Sequence, residues 1–371
     1  MTKVLPADHE FVKQTLRDFR VFQNGQRWVA RLKGEGRFRS STFSDLAAQK
    51  SQVLVELIPE AQWRRPMIAL RWLAALRLPY LAISLLPLLL VVCASLVSDG
   101  NAVKVASPVT LLLFASVALI HLGCNFWSDY EDHLRGVDNP GQSGGSGVIQ
   151  KLWIPAVHLR NAAAVFFLTG CALGVLLLTL LPLELVSGRL LWLALAGALG
   201  AASYSGWPFH YKYFGLGEPI VFLLAGPLVT DGAAALYFPQ SAELVRFAFL
   251  SLPLSFLVTL RLHSGNMQRI PFDSIAGVQS IARIFGFGWS KHAYLFLLLA
   301  PYVTLAALIF TGLAGIYSVL TLLALPFAWL GYRALREARG PLDPACYELR
   351  KQAARLHLSF GLLYALSFLA S

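Results

Sequence analysis

Nine long apolar runs dominate this sequence, near residues 79–98, 107–126, 162–182, 188–204, 218–238, 245–262, 291–312, 315–334 and 355–370. A run of about 20 apolar residues matches the hydrocarbon thickness of a bilayer. Inside lipid every backbone polar group must be satisfied internally, so only helices and closed barrels can span. These runs are continuous rather than alternating, which selects helices. Composition agrees: 56% of residues are hydrophobic and 14% charged, against about 45–50% and about 25% in soluble domains. A simple soluble globule and a disordered chain are both excluded. The expected fold is an all-α membrane protein, a bundle of nine transmembrane helices around a central cavity.

Residues 1–66 stand apart as a polar segment without an apolar signal region. Residues 8–20 suit a short amphipathic helix, and Val21 to Val29 read as two short strands around an Asn24-Gly25 turn. Residues 67–371 then form the membrane domain. The formal net charge of +11 would suggest nucleic acid in a soluble protein. Here it fits basic loops on one membrane face. With the N-terminus in the cytoplasm, only Lys104, Arg189 and Arg246 of the 31 basic residues fall on the outer side, a positive-inside pattern. The expected location is the inner (cytoplasmic) membrane, with the N-terminus and the long loops cytoplasmic and no nucleic-acid partner. Cys93, Cys124, Cys171 and Cys346 are scattered and read as inert buried thiols rather than a disulfide or zinc framework.

The chemistry concentrates on inner loops, two of which are long, about 35 and nearly 30 residues. The first begins Asn125-Phe126-Trp127-Ser128-Asp129-Tyr130-Glu131-Asp132-His133-Leu134-Arg135-Gly136-Val137-Asp138, with four acids in ten residues. If span two continues as a helix, Asn125, Asp129 and Asp132 share one face, and Asp138, after Gly136, can fold back. Clustered carboxylates repel unless a cation holds them, and an oxygen-only ligand set suits Mg²⁺ with substrate phosphates. Gly141 to Gly147 is Gly/Ser-rich, either a phosphate-cradling loop or a linker. Tyr204 to Glu218 is aromatic-rich, with Lys212 as its cation; its π-faces are either helix-end anchors or cation stabilisers. His133 reads as a solvated loop residue.

These residues resemble the UbiA superfamily of intramembrane prenyltransferases, most closely its 1,4-dihydroxy-2-naphthoate (menaquinone-pathway) branch. Asn125, Asp129, Asp132, Gly136 and Asp138 match the first acidic motif, with Ser128 where Asn is usual. Gly144 to Gly147 resembles the branch's Gly-Gly-Ser-Gly stretch. Tyr204, Pro208, Tyr213 to Glu218, Val221-Phe222 and Gly226-Pro227 resemble its next conserved segment. Resemblance covers about residues 68–370. It implies transfer of a prenyl group from an isoprenyl diphosphate to an aromatic, quinone-precursor-like acceptor. Asp129, Asp132 and Asp138 would hold Mg²⁺ with Asn125 supporting them. Arg135, Lys151 and Lys212 would contact phosphate. Tyr204, Tyr211 and Tyr213 would contact the allylic cation or the acceptor. Two other readings share the scaffold: other isoprenoid chemistry, such as an unusual acceptor or terpene cyclisation, and non-catalytic isoprenoid or quinone binding.

The second acidic motif departs from the family pattern. Asn266, Asp273 and Gly277 match, but Gln268 stands at the family's Arg, Arg269 at its first Asp and Val278 at its Lys. A cation in place of an anion weakens a second metal site. Arg269 is therefore expected to pair directly with the diphosphate as a fixed cation, with Asp273 orienting it.

Overall fold

The computed structural model describes residues 2–6, 29–30, 38–45, 52–59, 66–98, 107–135, 137–138, 144–151, 153–238 and 241–370. The expected helix over 8–20 and the Asn24-Gly25 turn lie outside the described residues. The described N-terminal residues form a four-stranded antiparallel sheet in the order β1-β4-β3-β2. Its strands are β1 (Thr2–Pro6), β2 (Val29–Ala30), β3 (Phe38–Asp45) and β4 (Gln52–Pro59). Thr2 faces Glu56 and Val29 faces Ser44; between Ser40 and Phe43 the β3–β4 register shifts. The polar segment thus carries more strand than two short pieces, and the helical class belongs to the membrane domain.

From residue 68 the chain is helical. Its α-helices are α1 (Ile68–Leu76), α2 (Ala82–Leu96), α3 (Pro108–Leu134), α4 (Ala156–Thr179), α5 (Gly188–Ser205), α6 (Gly217–Leu223) and α7 (Val229–Tyr237). They continue with α8 (Ser241–Leu250), α9 (Leu252–Ala276), α10 (Ile281–Phe310), α11 (Leu325–Glu337) and α12 (Pro344–Ser367). Among the described residues seven helical stretches are long and apolar enough to cross a membrane. The total is eight if α1 and α2, bent by 53° across a short break, count as one span. The protein is a multi-span membrane protein. α5, 18 residues long, occupies the fourth expected run.

The second long inner loop is largely helix, and the first begins and ends as helix, with residues 135–155 between. α3 runs on to Leu134 and α9 to Ala276, with only residues 277–280 before α10. Hydropathy ends a span where polar side chains begin, but those side chains here face a protein cavity and the backbone continues helical beneath them. Gly277 closes α9 with φ 69°, a left-handed conformation that glycine adopts without cost.

Lipid and protein faces separate clearly. The most apolar stretch of Ala156–Thr179 is only 17% buried, whereas that of Glu243–Ser274 is 61% buried, so α4 lies at the rim and α9 near the centre. α3 and α4 pack through glycines: a Cβ on Gly123 would stand 2.8 Å from Phe167 N, and one on Gly170 2.9 Å from Ser116 O. Ser116 Oγ also donates to Gly170 O at 2.8 Å. Such small-residue contacts drive helix association where lipid removes the hydrophobic incentive. The four cysteines are free, with Cys93 and Cys346 buried.

Candidate active site

At the C-terminal end of α3 the chain turns back on itself. Val137 N donates to Asp132 O at 2.8 Å and Asp138 N to the same oxygen at 3.3 Å. Asp138 thereby joins Asp129 and Asp132, and all three carboxylates are at least nine-tenths buried. The aromatic loop and the second motif close over this turn. Gln279 N donates to Tyr213 O at 3.0 Å, and Val137, Tyr213 and Val278 pack in one buried cluster. Val278, at the family's Lys position, is thus a packing residue here.

Each acid of the first motif meets its own cation. Arg77 Nη1 donates to Asp129 Oδ1 at 3.0 Å. Lys212 Nζ forms a short ion pair with Asp132 Oδ2, and Tyr213 Oη donates to the other oxygen at 2.7 Å. Arg269 Nη1 approaches Asp138 Oδ1 at 3.5 Å. Burial and the adjacent Asp132 carboxylate push the Tyr213 phenol well above its ordinary range, so it remains a donor. Burial, with Asp132 and Asp129 nearby and Arg269 opposing, pushes the Asp138 carboxyl up to about 6.

The glycine-rich stretch is a lid on these acids. A Cβ on Gly145 would stand 2.2 Å from Asp138 Oδ2 and 2.7 Å from Asp129 Oδ1. One on Gly144 would stand 2.1 Å from Arg269 Nη1. Ser146 N donates to Asp129 Oδ2 at 3.1 Å, and Gly144 O accepts from Arg77 Nη2 at 3.2 Å. Gly136 and residues 139–143 lie outside the described residues.

In the second motif Arg269 Nε lies 3.4 Å from Asp273 Oδ1. Ser280, the N-cap of α10, donates to Asp273 Oδ2 at 2.9 Å. Gln268 points the other way, donating to Cys346 O on α12 at 2.6 Å. Asn266 Nδ2 donates to Glu218 Oε1 at 2.8 Å, and His263 Nδ1 lies 3.4 Å from the same oxygen.

These groups form one end of a cavity of about 680 Å³. Asn125, Ser128, Asp132, Tyr204, Lys212, Asn266, Arg269 and Asp273 line it. Asp129 and Asp138 lie behind that wall, under Arg77, Gly144 and Arg269. The other end is apolar, walled by Leu190, Leu191, Val229 and Leu236. Four further expected residues stand apart from the cavity wall, among them Tyr213, which packs with Val137 and Val278 and turns its hydroxyl to Asp132. Lys151 is exposed against the Trp153 ring; Tyr211 stacks on Phe209; Arg135 pairs with Glu131 and lies 4.4 Å over the Tyr213 ring. His133, expected in solvent, is 8% exposed, because α3 continues past it into the protein.

Sequence reasoning passed over Arg77, Arg261 and Arg350, which line the same cavity. Arg77 ends α1 in the left-handed region, φ 51°, a conformation costing roughly 1–2 kcal/mol for a non-glycine residue. It lies 4.3 Å over the Tyr80 ring. Arg261, an arginine within an apolar run, was the legible signal.

A polytopic helical membrane protein with a buried acid–cation cluster at the head of an apolar cavity is the class that fold and site define. Comparison with known proteins gives the family. The UbiA prenyltransferase family model matches residues 84–350, and the chain belongs to that family of prenyltransferase enzymes. It is 29% identical over 313 residues to the mouse UbiA prenyltransferase domain-containing protein 1, covering 83% of this chain and 85% of that protein. It is 30% identical over 237 residues to the 1,4-dihydroxy-2-naphthoate octaprenyltransferase of Mycobacterium tuberculosis, covering 62% and 75%. Among solved structures, a digeranylgeranylglyceryl phosphate synthase aligns with TM-score 0.54 at 15% identity, covering 82% of this chain and all of that one. A UbiA homolog from Archaeoglobus fulgidus bound to GPP and Mg²⁺ aligns with TM-score 0.51 at 14% identity, covering 81% and 100%. These structural likenesses establish the shared fold.

Proposed function

We propose that this enzyme transfers a prenyl group from an isoprenyl diphosphate to an aromatic, quinone-precursor-like acceptor within the bilayer, in a Mg²⁺-dependent reaction. The observation that carries this reading is the cavity, with acids and cations at one end and an apolar wall at the other. The diphosphate fits the charged end and the isoprenoid tail the apolar end. In the proposed reaction the allylic C–O bond breaks and its electron pair leaves with the diphosphate. A C–C bond then forms to the acceptor ring, which gives up a proton. Lys212, Arg77 and Arg269 neutralise the charge growing on the leaving group, and the apolar wall keeps water from the allylic cation.

Mg²⁺ fits the first motif. The donors are all oxygen, and burial, with Asp132 and Asp129 nearby, raises the Asp138 acid, a crowding that an added cation relieves. Among the described residues no three such ligands yet stand around one point, so Asp129, Asp132 and Asp138 would hold the ion after turning from their cations. Once bound, Mg²⁺ supplies charge neutralisation for the diphosphate. The second motif fits a metal less well: Asp273 is already bonded to Arg269 and Ser280, which supports Arg269 as a built-in cation.

The proposal extends to nine transmembrane helices, with α5 as the fourth, an inner-membrane location and a cytoplasmic N-terminus. Incubation with prenyl diphosphates of several lengths, aromatic acceptors and Mg²⁺, with product masses read out, tests the reaction. A mass equal to acceptor plus prenyl group minus one hydrogen is expected. Hydrocarbon or prenyl alcohol products alone would replace this reading with cyclisation or hydrolysis.

A further inference from the structure

We infer that Arg261 and Arg350, gathered on Tyr80, form a second anion-binding subsite of the cavity, which takes an oxyanion of the second substrate, a carboxylate or a phosphate monoester. The assignment to a second substrate rests on the function proposed above; the subsite itself rests on geometry.

Tyr80 ends the short 3-10 turn that joins α1 to α2. The Arg261 guanidinium lies 4.2 Å from its ring centroid and that of Arg77 4.3 Å. Arg350, from α12, donates Nη2 to the Tyr80 hydroxyl at 2.6 Å. All four residues line the cavity. Three guanidiniums therefore gather on one tyrosine, two at its ring and one at its hydroxyl.

Their charge balance differs from that of the other cations. Lys212, Arg269 and Arg77 each have a carboxylate partner. Among the described residues neither Arg261 nor Arg350 has a carboxylate within ion-pair distance. Arg261 is nonetheless 8% exposed and sits inside a membrane-crossing stretch. A charge so placed is costly unless something compensates it. The Tyr80 π-face offsets part of that cost, and the Pro79 carbonyl takes one Nη1–H at 3.2 Å. A guanidinium has five N–H donors, so most of Arg261 is left for a ligand. An oxyanion completes the site: a fork of donors binds carboxylate or phosphate in a bidentate manner, and the added charge relieves the repulsion among the arginines.

The position suits a second substrate rather than the diphosphate. The acids that would hold a metal–diphosphate pair lie on the far side of Arg77, which bridges Tyr80 to Asp129. An acceptor held by its anion at Arg261 and Arg350 would present its ring toward that end of the same cavity.

The test uses the detergent-purified full chain, Arg261→Gln, Arg350→Gln and the charge-conserving Arg261→Lys. Calorimetric titration without prenyl diphosphate compares 1,4-dihydroxy-2-naphthoate, its neutral counterpart 1,4-dihydroxynaphthalene, and glycerol 1-phosphate. The expected result is binding of at least one anionic probe that weakens about tenfold or more in both Gln variants and less in Arg261→Lys, with the neutral probe unmoved. Preference for the naphthoate assigns a carboxylate, and preference for glycerol 1-phosphate assigns a phosphate. In turnover, KM for the acceptor rises while KM for the prenyl diphosphate stays, which also shows the variants are folded. The subsite is overturned if both Gln variants bind the anionic probes as the wild type does, if no anionic probe binds, or if the KM that rises is that of the prenyl diphosphate. Arginine-dependent anion binding in a chain that forms no prenylated product would instead retain the subsite and refute the proposed reaction.

Discussion

The two polar motifs facing this cavity solve the same charge problem by different means. The first places three carboxylates under a glycine lid and gives each a cation, Arg77, Lys212 or Arg269. The second has one acid, Asp273, and holds it with Arg269 and Ser280. The first is acid in excess of its own loop's cations and borrows them from three other elements. The second holds one acid and one cation within one turn of α9, and that cation also reaches Asp138. On the function proposed above, the acid-rich motif is completed by an added metal ion, whereas the second already carries a cation of its own. The difference teaches that one motif of a symmetric-looking pair can carry its positive charge covalently.

The largest expected effect tests the first motif. Asp132→Ala removes the carboxylate that Lys212 and Tyr213 both hold and strands a buried ammonium. Breaking such a pair costs about 3–5 kcal/mol of stability. Loss of a group that positions transition-state charge costs about 10²–10³-fold in rate. A steady-state assay should show turnover down by at least about 10²-fold, with a lowered thermal midpoint. Asp132→Asn separates the two effects, since it keeps a hydrogen-bond acceptor for Tyr213 and still loses turnover. Full activity in Asp132→Asn would remove the first motif from the chemistry.

Arg269→Asp makes the second motif resemble the first. If Arg269 is a fixed cation, the variant should lose roughly tenfold or more in turnover at low Mg²⁺ and depend more steeply on Mg²⁺. Excess metal should then restore part of the rate. An Arg269→Asp enzyme faster than wild type at every Mg²⁺ concentration would mean that the cation impairs the site rather than serving it.

Much of this contrast was legible in the sequence, and the reasons are particular. Asp129 and Asp132 share a helical face because α3 continues through Leu134, as their spacing implied. The charge inversion at Arg269 was visible only against the family's second motif, where an Asp is usual. The span ends were not, since hydropathy cannot distinguish a polar loop from a helix whose polar face lines a cavity, and α9 runs to Ala276 on that account. Lys151 and Tyr211 looked like ligands because composition does not reveal direction; each instead stacks on a nearby ring, Trp153 and Phe209. Arg77 escaped notice because its role depends on a left-handed backbone turn that no periodicity encodes. Arg350 lies far along the chain from Tyr80, and only tertiary packing joins them.

The glycine lid gives a smaller, more local test of the first motif. Gly145→Ala would set a methyl group against Asp138 Oδ2 and Asp129 Oδ1. Those atoms must shift, and misplacing a catalytic group by about 1 Å costs up to 10²-fold. About tenfold lower turnover with weakened Mg²⁺ dependence is expected. Gly188→Ala, whose Cβ meets nothing within 4 Å, is the control that should leave both unchanged. Equal behaviour of the two variants would mean that the lid does not touch the working arrangement of the acids.

The smallest effect is in pH and falls on the first motif alone. Burial and the neighbouring Asp132 and Asp129 raise the Asp138 acid to about 6, above the ordinary value of about 3.9. If Asp138 holds the metal ion as proposed, proton and metal ion compete for the same oxygens. Above pH 6 the carboxylate is ionised and free to take a metal ion. Below it a proton holds the site, and each further pH unit weakens apparent Mg²⁺ affinity by up to about tenfold. At subsaturating Mg²⁺, turnover should therefore fall as pH drops through about 6, and saturating Mg²⁺ should shift the fall to lower pH. Asp138→Asn cannot bind that proton, so its weaker activity should lose this limb of the profile. Arg269 opposes the shift, so Arg269→Gln should move the limb to higher pH, linking the titration of one motif to the cation of the other. A limb that stays in place in both variants would assign it to a different group and separate the two motifs electrostatically.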